Sequence, residues 1–188
     1  MEIIRAFIAV PVPEGVRAEL ARAASEVMGD IPTVRGVLAG SIHATLKFLG
    51  DFDLANLGRI SELLRLIAQK NQPFRLKVEG VGGFPNLDNP RVIFADLVGE
   101  TDRIVRLAAE VDKAAAALKY PPEKRPYSPH LTLARVKAPK QLGLLRKRLH
   151  TLENRSFGEL PVEEIVLYRS DLRPDGARYT PLAGARLG

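Results

Sequence analysis

The chain has 188 residues, enough for one large domain or two small lobes sharing a core. Apolar residues at 46% and charged residues at 27% exclude a disordered chain, and the absence of cysteine excludes disulfides and thiolate metal sites. A net charge of +6 favours polyanionic partners, nucleic acid first, and a cysteine-free chain agrees with a reducing cytoplasm.

The apolar run after Glu2 is too short and too charged at its start for a signal peptide or membrane span. It predicts a first strand over Arg5–Val10. Val16, Leu20, Ala23, Ala24 and Val27 recur at helical spacing and predict a helix over Glu14–Met28, with Pro13 suited to its entry. Ile31–Leu38 reads as a short strand. The phrase Ser41-Ile42-His43-Ala44-Thr45-Leu46 follows and alternates as a strand. Ile42, Ala44, Leu46 and Phe48 fall on one face, and His43, Thr45 and Lys47 on the other. On that alternation Phe48 belongs to the core and Lys47 to the face of His43. Asp53 can cap a helix running to about Gln69.

Phe74–Val81 and Arg91–Val98 predict two strands joined by the loop Gly82-Gly83-Phe84-Pro85-Asn86, and Thr101 can cap a helix over Asp102–Leu118. Four prolines between Tyr120 and Pro129 exclude regular structure there. That segment delivers the chain to Ser128-Pro129-His130-Leu131-Thr132-Leu133, a second copy of His-x-Thr-Leu on a strand over His130–Val136. Pro139 opens a basic helix to about Leu149. Phe157–Leu160, Val162–Ser170 and Tyr179–Leu187 read as strands, with a turn at Arg173-Pro174-Asp175-Gly176. About nine strands and four helices in short alternating blocks predict an α+β fold, two similar lobes built around the two motifs.

The two motifs use two of the chain's three histidines. Each sets an imidazole and a hydroxyl side by side on a polar strand face, about 7 Å apart. Two histidines across one cleft can serve a phosphodiester as base and acid, because imidazole titrates close to working pH. Thr45 and Thr132 can donate to the non-bridging oxygens, where charge builds in the transition state. Lys47 and Arg135 can add positive charge, and Phe84 and Tyr127 can stack a base. The scheme needs no metal and no cofactor. His150, at the end of a helix, has no such neighbours and reads as structural.

The chain resembles the 2H phosphoesterase superfamily, and within it the RNA 2',3'-cyclic phosphodiesterase family, also called 2'-5' RNA ligase. The resemblance runs from Arg5–Val10 through His43-Ala44-Thr45-Leu46-Lys47-Phe48-Leu49-Gly50 and Val81–Asn86. It continues through Arg125–Val136 to Tyr168-Arg169-Ser170-Asp171-Leu172, Gly176 and Tyr179. Two departures stand out: Val34-Arg35-Gly36-Val37 lies where the family often has an aromatic residue, and Ser41-Ile42 where it often has Asn-Leu. The resemblance implies a bilobal, pseudo-two-fold domain spanning 1–188, with two antiparallel sheets facing a central cleft and helices outside. It implies hydrolysis of RNA 2',3'-cyclic phosphate ends, on tRNA fragments or another RNA, to 2'-phosphomonoesters, one histidine activating water and the other protonating the departing 3' oxygen; analogy favours His130 as base and His43 as acid over the reverse. Reversal would give 2'-5' ligation. A monomeric cytoplasmic enzyme without a membrane is expected. The alternative is a non-catalytic module of the same fold that only holds a nucleotide or RNA end.

Overall fold

The computed structural model describes residues 2–138, 140–174 and 176–188. Its elements, in chain order, are β1 (Ile3–Pro11), α1 (Glu14–Met28), β2 (Val34–Gly36), β3 (His43–Asp53), α2 (Leu57–Ala68), β4 (Phe74–Phe84) and β5 (Val92–Gly99). Then come α3 (Thr101–Ala117), β6 (His130–Val136), α4 (Leu142–Leu149), β7 (Ser156–Val162), β8 (Glu164–Arg173) and β9 (Gly176–Arg186). The strands form two antiparallel sheets, ordered β3-β1-β8-β9 and β2-β6-β5-β4-β7. Without the added edge strand β2, the sheets correspond position by position: β3 with β6, β1 with β5, β8 with β4, β9 with β7. Each motif strand lies beside the strand that precedes it, with one long helix between them in sequence.

Those two helices are exchanged. α1 leaves the first sheet and rests on β6 and β7 of the second, whereas α3 leaves the second and rests on β3 of the first. Close approach of α1 needs a bare backbone on β7: a β-carbon on Gly158, whose φ is +113°, would lie 3.2 Å from Val16. Arg155 adds ion pairs from the segment before β7 to Glu19 and Glu26 of α1. Buried side chains from both sheets and all four helices form one hydrophobic cluster. β1 explains its own central place. Ala6–Val10 is a continuous apolar run with every residue buried, as suits a strand covered on both faces.

Several boundaries differ from the sequence expectations. β2 is three residues long, because the Ile31 and Val34 amides bond back to the Met28 and Ile31 carbonyls in turns before it, and beyond it Val37 makes one more bond to β6, at the Leu133 carbonyl. Thr101 is the first residue of α3 and not its cap; Glu100 precedes the helix. Asp53 accepts from the Ala55 amide, but it opens a short 3-10 turn before α2. The expected helix start at Pro139 and the centre of the turn at Asp175 lie outside the described residues; α4 begins at Leu142. No helix among the described residues is long and apolar enough to cross a membrane.

Candidate active site

The two motif strands supply opposite walls of one cleft of about 420 Å³. His43 and Thr45 enter it from β3, and His130, Thr132 and Arg135 from β6. Arg35 of β2 and Arg173 of β8 join them, and no carboxylate is among the described lining residues. Three guanidinium groups among the described lining residues give the cleft walls positive charge. Its mouth is laced shut on one side: Arg35 donates to the Pro174 carbonyl at 2.6 Å and Ser41 Oγ to the Ala177 carbonyl at 2.7 Å.

Each imidazole leans on the carbonyl two residues before it. His130 Nδ1 is 2.7 Å from the Ser128 oxygen. A carbonyl only accepts, so Nδ1 carries the proton and Nε2 of the neutral ring keeps its lone pair. His43 bonds the Ser41 carbonyl in the same way. Its ring stacks on Phe7 at 4.5 Å, with Tyr179 edge-on at 4.9 Å and Tyr168 at 6.4 Å. Burial lowers the His43 pKa to about 4, against the Ser41 bond, which raises it; the nearby His130 lowers it further. His130 meets Phe84 edge-on at 5.1 Å and Phe94 at 5.2 Å. Phe94 fills the space over Gly82, where a β-carbon would fall 2.4 Å from its ring. Across the sheet His130 pairs with Asp96, whose carboxyl burial pushes up while the His130 charge pulls it down. Burial likewise raises the Tyr179 hydroxyl, opposed by Arg135 and Arg5.

The structure therefore brings His43, Thr45, His130, Thr132 and Arg135 together. It places Phe84 beside His130, 37% exposed. Two expectations for β3 are overturned. Opposite Ile8 and Ala9 the strand bulges, so Lys47 pairs with Ile8 and Thr45 with Ala9, leaving Leu46 as the extra residue. A bulge puts neighbouring side chains on the same side and reverses the alternation beyond it. Lys47 consequently turns inward, 2% exposed, to Asp112 at 2.8 Å, Glu123 at 3.3 Å and the Pro121 carbonyl at 2.5 Å. It does not line the cleft. Phe48 does, and is 63% exposed there, not packed in the core. Tyr127 is also absent from the cleft: it packs against the core, its hydroxyl is buried without a partner, and burial raises its pKa. His150 Nδ1 contacts Glu153 at 2.5 Å and stays outside the cleft walls. The aromatic box of Phe7, Tyr168 and Tyr179 was not anticipated. Its signal was present, since Tyr168 and Tyr179 belong to the closing-hairpin segment, but nothing in the sequence places that hairpin beside β1.

Comparisons with known proteins agree with this geometry. A family model described as the 2'-5' RNA ligase superfamily matches residues 11–174. A Methanothermobacter thermautotrophicus protein named RNA 2',3'-cyclic phosphodiesterase is 34% identical over 184 residues, 98% of this chain and 99% of its own. A protein of the same name from Thermus thermophilus is 38% identical over 189 residues, 95% of this chain and 88% of its own. The crystal structure of E. coli LigT complexed with 3'-AMP superposes with a TM-score of 0.81 at 26% identity, covering 99% of each chain. With two His-x-Thr strands converging on one cleft, the chain belongs to the 2'-5' RNA ligase superfamily.

Proposed function

We propose that the protein hydrolyses RNA 2',3'-cyclic phosphate ends to 2'-phosphomonoesters, using His130 as general base and His43 as general acid. The observation that carries this reading is the convergence of both His-x-Thr strands on one cleft whose described walls hold arginines and no carboxylate. Relatives of near-equal length carry the name of that activity. Water attacks phosphorus and gives its proton to His130 Nε2, the lone pair left free by the Ser128 bond. The P–O3' bond breaks, and His43 protonates the departing 3' oxygen. Thr45 and Thr132 donate to the non-bridging oxygens, with Arg135 adding positive charge. His43 is neutral at neutral pH in the free protein, so on this reading it gains its proton as the phosphate anion enters and offsets the cost of desolvation. A 5'-hydroxyl that attacks in place of water, with the same loss of the 3' oxygen, forms a 2'-5' linkage, and competing water suppresses that outcome.

The chain acts in this proposal as one bilobal unit, a cytoplasmic monomer working on RNA ends such as tRNA fragments. The test is an oligoribonucleotide ending in 2',3'-cyclic phosphate, incubated with chelator. The expected product is the 2'-phosphate, lost in His43→Ala and in His130→Ala while RNA binding survives. Binding without turnover in the wild type would leave a nucleotide-holding module, and a requirement for a divalent ion would remove the metal-free scheme.

A further inference from the structure

Behind the His43 ring lies a second cavity of about 330 Å³. His43 and Tyr179 belong to the walls of both cavities, so the two spaces meet at one imidazole. The second is completed by Phe7, Tyr168, Pro181 and Arg17, with no carboxylate among its described lining residues. Arg17 sits in the first turn of α1, which no side chain caps. Its Nε is buried without a hydrogen-bond partner, and no ion pair engages the guanidinium among the described residues. Arg22, one turn further along the same helix, is held by Glu19 and Glu26. Burial raises the Tyr168 hydroxyl, Glu164 adds to that, and Arg17 pulls the other way, so the cation acts on the aromatic wall. A permanently charged fork with a shielded, unpaired donor is costly to maintain unless a ligand engages it.

We propose that this cavity is the subsite for the phosphodiester one nucleoside upstream of the cyclic phosphate, with Arg17 as its cation. The inference rests on the reading of the main cleft as the cyclic phosphate site. A terminal nucleotide reaching from one cavity to the other would pass the His43 ring. The guanidinium offers two parallel donors to the diester oxygens, and the Tyr168 and Tyr179 rings offer sequence-tolerant faces to the base. The site thereby selects an RNA end over a free cyclic nucleotide.

The test compares a nucleoside 2',3'-cyclic phosphate with a dinucleotide whose 3' end carries the same group. In the wild type, kcat/KM favours the dinucleotide by about tenfold or more, the scale of one charge-assisted contact. Arg17→Gln removes that preference through KM, and Arg17→Lys restores part of it. An equal loss on both substrates, or a preference that survives Arg17→Gln, overturns the proposal. Should the wild type turn over neither substrate, the reading of the main cleft fails separately. Affinity for the two 2'-phosphate products then decides: weakening of the dinucleotide product alone by Arg17→Gln supports the subsite, and equal affinities contradict it.

Discussion

His43 and His130 stand in the same four-residue motif, yet their surroundings differ. His43 is covered by Phe7, Tyr168 and Tyr179 from three other strands of the first sheet, and burial holds its pKa near 4. His130 has two aromatic neighbours, Phe84 and Phe94, and a carboxyl, Asp96, directly across the sheet. The motif fixes which side chains enter the cleft. The neighbouring strands set the surroundings of each ring, and a pseudo-symmetric frame thus carries an asymmetric pair.

The strongest way to break that comparison is to remove each ring in turn. His43→Ala and His130→Ala are each expected to slow hydrolysis by about 10²–10⁴-fold. They separate on a cyclic substrate whose 3' oxygen is replaced by sulfur. A thiolate leaves without an acid, so His43→Ala recovers most of its rate while His130→Ala does not. Recovery in the opposite variant would exchange the two roles.

The pH dependence of stability sharpens the same contrast. His43 has a folded pKa of about 4 against an unfolded value near 6.5. Above about pH 6.5 the ring is neutral in both states and contributes nothing to the difference. As pH falls from 6.5 to 4 the unfolded chain binds the proton first, so about 3 kcal/mol of stability is lost across that window. Denaturant titrations of wild type and His43→Gln should diverge there and run parallel above it.

Lys47 tests the interior side of the first motif strand. Lys47→Ala leaves Asp112 and Glu123 without their cation. Both remain partly exposed, so the expected loss is about 2–3 kcal/mol, below that of a fully buried pair. KM of the folded protein should change little. Phe48→Ala is the complement: exposed in the cleft, it should leave the melting temperature unchanged and raise KM by about fivefold or more, the low end for one stacked base.

These two residues also mark where the sequence stopped being legible. Strict alternation along β3 assigned Lys47 to the cleft and Phe48 to the core, and one bulged residue reversed both. Bulges leave no signature in a period-two pattern, because the extra residue is set by pairing with β1. α1 and β6, by contrast, have the limits their local patterns predict, since helical spacing and a motif flanked by prolines are local signals. The cleft-lining residues His43, Thr45, His130, Thr132 and Arg135 were readable for the same reason. Arg17, Arg35 and the aromatic box were not, because only the placement of α1 on the second sheet, the pairing of β2 with β6 and the pairing of β8 with β1 bring them to the two cavities.

With three histidines in the chain, ring resonances in a nucleoside 2'-phosphate titration test the paired site most directly. The account expects His43 to titrate near 4 in the free protein, then to rise on binding, with His130 shifting at the same ligand concentration and His150 unmoved. A shift in only one of the two cleft rings, or a His43 pKa that does not change when the phosphate binds, would contradict it.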